Sequence, residues 1–249
     1  MNLETRIRST AMRHLSSAGF QRLMRKRASL ARRLKRQSPA VHYFHQVDDP
    51  YSHLAVQKLD ALRDAYTLPF VPHLVSKPDA TFLGSAQHFD QWALTDAANI
   101  ADGYAATFPK NPDPPDTAAI SEANDALVAH LGQDDFASTA IAVGEALWSG
   151  QPTGAAAANN AGKAAIETGN AMRRALGHYL GGMFYFEGEW YWSIDRLRLM
   201  EQRLIAEGLS HGAHEIRVPE PPPADTTNLH ARPLLPQYSP SPRSPSTTV

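Results

Sequence analysis

Residues 41–55 read VHYFHQVDDPYSHLA, and this stretch determines the class of fold. Its first seven residues are mainly aromatic or β-branched, which is typical of a buried strand, and Asp48-Asp49-Pro50 ends that strand in a turn. A helix is predicted from Tyr51, and residues 68–75 predict a second strand whose two prolines favour a sheet edge or a strand start. The three elements form a β-α-β unit, for which a right-handed crossover and a site at the carboxyl end of the first strand are expected.

The following region predicts a helical block and then an aromatic hairpin. Residues 85–180 are rich in alanine and carry no convincing strand pattern, so four or five helices are expected there. Residues 183–186 and 189–192 predict two strands joined by a turn at Glu187-Gly188. A last helix is expected from about Ile194 to Ala206, which makes the expected fold class α/β.

The two ends of the chain differ from the middle in composition. Residues 1–39 hold eleven Lys or Arg and a single acid, although the formal net charge of the chain is -1. A basic helix is expected in residues 1–39; it could bind an anionic membrane or nucleic acid, or be a solvated helix docked by one thin apolar stripe. Residues 213–249 are rich in Pro, Ser and Thr and predict a disordered tail, which leaves an ordered domain over 40–212.

Composition excludes several kinds of chemistry. The chain has no cysteine, so thiol–disulfide chemistry, thiolate nucleophiles and thiolate metal ligands are excluded for its own side chains. No run approaches the roughly 18 apolar residues of a membrane span, and no secretory signal follows the basic start. A soluble, cytoplasmic protein is expected. The sequence has no phosphate-binding loop and no nucleophile elbow.

Two segments resemble the hydroxychromene-carboxylate isomerases and kappa-class glutathione transferases of the DsbA-like superfamily. The first is Asp49-Pro50-Tyr51-Ser52, which is similar to the family's Ser-Pro-Tyr-Ser at the start of its first helix. The second extends from Gly177 to Leu197 and includes a double glycine, the turn at Glu187-Gly188 and an Asp-Arg-Leu helix start. The resemblance implies a thioredoxin-like fold with a helical insertion over about 85–180.

The resemblance also implies an activity and a set of site residues. The activity would be a glutathione-dependent isomerisation or transfer on an aromatic or electrophilic small molecule. The catalytic residues that it implies lie at the start of the helix predicted after the first strand and are Asp49 and Ser52. His53, with His45 as the alternative, is a further catalytic candidate as an acid–base group, because both histidines lie near the expected mouth of the site. The residues implied to hold glutathione as the cofactor are Pro50, Tyr51, Gly181, Gly182, Asp195 and Arg196. Asp195 and Arg196 could instead be a helix-start acid and its solvated neighbour.

The sequence departs from the family pattern at two of these positions. Asp49 stands where the family has the serine that stabilises the thiolate of glutathione; its carboxylate could cap the helix, but it would repel a thiolate. Gly182 stands where the family has a cis-proline. A cis bond before a residue other than proline costs about 3 kcal/mol, so a trans bond and a reshaped pocket are expected.

These departures leave other functions open. One alternative is a non-catalytic thioredoxin-fold module that binds a peptide or a partner protein in the same groove, and another is a degenerate domain of a longer protein. The expected partners are a small-molecule substrate or a peptide, with a homodimer as a further option and no motif for specific nucleic-acid binding. No metal site is predicted, because His42 and His45 lie on opposite faces of the first strand.

Overall fold

A four-stranded mixed sheet forms the centre of the protein, for which the computed structural model describes residues 18–78, 86–154, 161–212 and 218–219. The strands are β1 (Val41–His45), β2 (Phe70–Leu74), β3 (Met183–Phe186) and β4 (Glu189–Trp192). Their order across the sheet is β2-β1-β3-β4. β1 and β2 are parallel, whereas β3 runs antiparallel to both β1 and β4. The fold is therefore mixed α/β.

Eight α-helices surround this sheet within the described residues. In chain order they are α1 (Ala18–Leu34), α2 (Pro50–Val56), α3 (Leu59–Ala65), α4 (Ala86–Ile100), α5 (Thr117–Val128), α6 (Phe136–Trp148), α7 (Ala161–Ala175) and α8 (Ser193–Ala206). A short 3-10 helix, Ala101–Tyr104, follows α4 directly. The segment between β2 and β3 thus contributes four α-helices and no described strand, as its composition predicts.

The two faces of the sheet are packed differently. Tyr43, Phe184 and Tyr191 belong to the main core, where they pack with leucines of α2, α3 and α8. Phe44 and Met183 point to the other face and form a smaller cluster together with Met172 of α7. This alternation follows from the two-residue period of a strand.

Local signals place most element boundaries within two residues of their predicted positions. Glu187 and Gly188 both have positive φ, as a two-residue hairpin turn requires, because that backbone conformation matches the twist of the flanking strands. The helix predicted after β1 is divided into α2 and α3 at Gln57-Lys58. β2 is an edge strand, which suits its prolines.

The chain ends lie partly outside the described residues. Of the predicted basic helix, the structure describes α1, and residues 1–17 lie outside the described part. Of the predicted disordered tail, 213–217 and 220–249 lie outside it as well. Val218, within that predicted tail, is buried, and its N–H donates to Glu201 Oε2 at 2.9 Å. This short part of the tail therefore packs on α8, which the polar composition of the segment did not indicate.

Candidate functional site

A cavity of about 200 Å³ opens at the carboxyl end of β1, where the β-α-β pattern predicts a site. Its floor is the turn from Asp48 to Tyr51 at the start of α2. Its walls are mostly apolar and come from distant parts of the chain: Leu94, Pro114, Pro115, Ile120, Trp148, Leu180 and Trp192. An apolar cavity with a few polar groups on one side is the usual form of a small-molecule site.

Asp49 is both the N-cap of α2 and part of the cavity lining. Its Oδ2 accepts hydrogen bonds from Ser52 N at 2.9 Å and from Ser52 Oγ at 2.7 Å. The Ser52 Oγ in turn accepts from Gln46 N at 3.2 Å. Asp49 therefore caps the helix, as its carboxylate was expected to be able to do, and Ser52 lies behind it, outside the cavity lining.

The surroundings of Asp49 alter its acidity. Removal from water raises the pKa of its carboxyl to about 6, against the opposing effect of the Ser52 hydrogen bonds. The neighbouring Asp48 adds to the rise through like-charge repulsion, and burial also raises the pKa of Asp48 itself. A carboxyl group that titrates near neutrality can both accept and donate a proton under ordinary conditions.

The charges around the cavity are predominantly acidic. Among its described lining residues, Asp48, Asp49 and Asp90 carry carboxyl groups and Lys77 carries the single ammonium group. Lys77 is already paired with Asp90. The electric field in the cavity therefore disfavours anions.

The double glycine before β3 lets that segment approach α2 closely. A Cβ atom on Gly181 would lie 2.6 Å from the Gln46 side chain, and one on Gly182 would lie 2.8 Å from Asp49 Oδ2. Gly182 has φ +61°, and every described peptide bond, including the one before Gly182, is trans. The trans expectation is thus confirmed, and only glycine meets both the positive φ and the close approach. Gly181 lines the cavity, whereas Gly182 lies beneath it, against the cap.

Ser193 joins α8 to α2 and is a site-supporting residue that the sequence alone did not indicate. Its N–H donates to the Gly182 carbonyl at 2.7 Å, and its Oγ donates to the Tyr51 carbonyl at 2.8 Å. It is buried and has φ +44°, which is unusual for a residue other than glycine. A serine at a helix start is common, so the sequence carried no signal for this role.

Two tyrosine–aspartate pairs join helices around the site, one between α2 and α4 and one between the 3-10 helix and α8. Tyr51 Oη donates to Asp96 Oδ2 at 2.7 Å, and Tyr104 Oη donates to Asp195 Oδ1 at 2.9 Å. Burial and the nearby carboxylates raise the pKa of both tyrosines well above the usual value, so both remain donors. Asp195 and Arg196 are exposed and do not line the cavity, whereas Pro50 and Tyr51 do.

His53 lies away from the cavity, although it was predicted as a catalytic candidate. It is buried between α2 and α6, where a Cβ on Gly144 would lie 2.2 Å from its Nδ1. Burial lowers the pKa of His53 to about 4. Its Nδ1 has no hydrogen-bond partner among the described residues. His45 is also buried, with its Nδ1 2.9 Å from Tyr43 Oη.

No protein-family model matches the chain, and no curated protein matches it either. The described residues contain no group of three or more side chains placed to hold a metal ion. Among the described lining residues, the polar side chains at the start of α2 are Asp48, Asp49 and Tyr51, and most of the other walls are apolar. Trp148 also lines the cavity, and its buried indole Nε1–H has no partner among the described residues. Such a donor favours a ligand or a water that brings an acceptor.

Proposed function

We propose that this chain is a thioredoxin-like protein that binds an aromatic or other apolar small molecule at the start of α2 and isomerises it by proton transfer through Asp49. The strand order β2-β1-β3-β4, with a helical insertion between β2 and β3, supports the thioredoxin-like part of the proposal. The observation that carries the functional part is the position of Asp49, a cavity-lining carboxyl with a pKa of about 6.

An isomerisation is the reaction that such a site can complete with its own groups. The Asp49 carboxylate removes a proton from one atom of the ligand, and the carboxylic acid so formed returns a proton to another atom. Atoms and electrons balance without an oxidant. Tyr51, whose raised pKa keeps its hydroxyl protonated, lies beside Asp49 as a cavity-lining group.

The lining indicates the class of ligand. Trp148 and Trp192 contribute aromatic surface, and Leu94 and Ile120 add aliphatic surface. The acidic side chains at the floor favour a neutral or cationic molecule over an anionic one. An aromatic compound with a weakly acidic C–H or O–H group meets both conditions.

Glutathione, the cofactor that the resemblance implies, fits this charge pattern better as a thiol than as a thiolate, but its two carboxylates and one ammonium group leave it a net anion, which the acidic lining disfavours. A thiolate beside Asp49 would face a carboxylate at contact distance, whereas an S–H group could donate to it. Asp195, the proposed γ-glutamyl contact, already accepts from Tyr104 and would have to keep or exchange that hydrogen bond. Binding of glutathione is therefore proposed, and tested, separately from proton transfer by Asp49.

Binding of two matched probes tests the ligand class. The purified protein is titrated with neutral 2-naphthol and with anionic 2-naphthoate, and quenching of tryptophan fluorescence is followed in a Trp92→Phe background, because Trp92 is exposed and outside the cavity. Above pH 6 the neutral probe should bind about tenfold or more tightly than the anion, and Asp49→Asn should narrow the difference. Equal binding of both probes, or no saturable quenching, would reject the proposed ligand class.

Calorimetry with reduced glutathione tests the cofactor separately. Saturable heat that Asp195→Ala weakens would support glutathione as the co-substrate. Absence of heat at millimolar glutathione would reject glutathione as the co-substrate. The proposed ligand class and the role of Asp49 would then be tested by the probe titration alone.

A further inference from the structure

Helix α1 is attached to the rest of the protein by its polar side. Arg25 Nη2 lies 2.8 Å from Glu189 Oε2, and Arg32 forms an ion pair with Glu187, so both ends of the hairpin turn hold the helix. Between these pairs a Cβ on Gly188 would lie 2.8 Å from the Met24 carbonyl oxygen. Among the described side chains, the contact is a close approach of backbone and charged groups, with the small Ala28 beside Gly188.

The opposite side of α1 carries a leucine stripe, formed by Leu23, Leu30 and Leu34, which are 51%, 59% and 76% exposed. Spacings of seven and four residues place the three side chains on one side of a helix. Leu23 and Arg32 are nine positions apart, about two and a half turns, so they point in opposite directions. The apolar side of this amphipathic helix therefore faces away from the protein, which reverses the usual arrangement.

Cations accompany the leucine stripe. Lys26, Arg27 and Arg33 are exposed and form no ion pair with any residue in the described part of the chain. By helix position Arg27 lies among the leucines, whereas Lys26 and Arg33 lie along one edge of the stripe. An exposed surface that combines leucines with exposed cations favours a partner that offers both apolar contact and negative charge.

We infer that the leucine stripe of α1 docks the protein on an anionic lipid bilayer, with the helix lying in the plane of the interface. The leucines enter the acyl boundary while the cations meet the lipid phosphates. A second copy of the chain would bring these cations against one another, and nucleic acid would have no use for the leucines. Within the described residues no helix has the length and hydrophobicity to cross a membrane. This inference does not depend on the cavity.

Vesicle flotation tests the inference. The full chain is mixed with vesicles of phosphatidylcholine alone or of phosphatidylcholine and phosphatidylglycerol in equal amounts. Binding to the anionic vesicles should be at least about tenfold stronger, and high salt should weaken it. Leu30→Asp with Leu34→Asp should abolish it, and Lys26→Gln with Arg27→Gln and Arg33→Gln should reduce it by about a hundredfold, at about fivefold per cation.

The control variant is Leu199→Asp, which alters a similarly exposed leucine, 45% accessible, on α8 instead of α1. It should float like the unaltered protein. Far-UV circular dichroism shows whether each variant keeps its helices. Equal binding to neutral and anionic vesicles, loss of binding in Leu199→Asp alone, or no binding at all would overturn the inference. Sedimentation velocity that shows a dimer broken by Leu30→Asp would assign the stripe to a second copy instead.

Discussion

The position of Asp49 has two opposite effects on the stability of the folded protein. As the N-cap of α2 it stabilises the helix start through Ser52, but its carboxyl is held where ionisation is unfavourable, with a pKa of about 6. Functional sites often contain residues whose environment destabilises the folded protein. The sequence indicated that the Asp49 carboxylate could cap the helix, whereas the raised pKa follows from burial in the folded protein, which no local pattern encodes.

Asp49→Asn should therefore stabilise the protein above pH 6. The folded state holds a proton on Asp49 that the unfolded chain releases near pH 4, so this residue's contribution to the free energy of unfolding falls as pH rises from about 4 to about 6. Asparagine keeps the cap without the charge. At pH 8 the gain in the free energy of unfolding is at most about 3 kcal/mol. Loss of the charge-assisted hydrogen bonds from Ser52 reduces the expected gain to about 1 kcal/mol. Urea unfolding at pH 4 and pH 8 measures it; a loss of stability at pH 8 would contradict this explanation.

The contact between the segment before β3 and the start of α2 depends on backbone geometry, which the side-chain patterns of the sequence do not predict. The strands themselves were predictable, because alternating aromatic residues and a Glu-Gly turn are local signals. The contact of Gly182 with Asp49 and Ser52, and the hydrogen bonds of Ser193 to both segments, join residues that are far apart in sequence. The division between α2 and α3 at Gln57-Lys58 was likewise not predicted, since no proline or glycine marks it.

Gly182→Ala tests this contact, with Gly150→Ala as its matched control. Both glycines have positive φ, +61° and +65°, but a Cβ on Gly182 meets Asp49 Oδ2 at 2.8 Å whereas one on Gly150 meets nothing within 4 Å. Gly150→Ala should cost only the backbone strain of about 1 kcal/mol. Gly182→Ala should cost about 2 kcal/mol more, because the alanine also disturbs the α2 cap. Denaturant unfolding measures the loss of stability in each variant. Equal losses would show that the close approach of Gly182 to Asp49 contributes nothing measurable to stability.

The protein as a whole should lose stability on mild acidification. Burial lowers the pKa of His45 to about 3 and that of His53 to about 4, whereas both titrate near 6.5 in the unfolded chain. The unfolded state therefore binds more protons, so the free energy of unfolding decreases as pH falls below about 6.5, by up to about 1.4 kcal/mol per pH unit for each histidine. This effect exceeds the opposing contribution of Asp49. The melting temperature measured between pH 8 and pH 4 should fall accordingly, and His45→Gln should flatten the curve; a melting temperature independent of pH would contradict these burial assignments.

Direct titration of the Asp49 carboxyl tests the proposed site most sharply. The protein is labelled with aspartate carrying ¹³C in its side-chain carboxyl, and the Asp49 signal is assigned by its absence from the Asp49→Asn spectrum. The structure predicts a midpoint near pH 6, and bound 2-naphthol should shift it, because the probe displaces water from the carboxyl and can donate its O–H to the carboxylate. A midpoint near 4 that the probe leaves unchanged would show that Asp49 is an ordinary helix cap, and the proton-transfer function would be rejected.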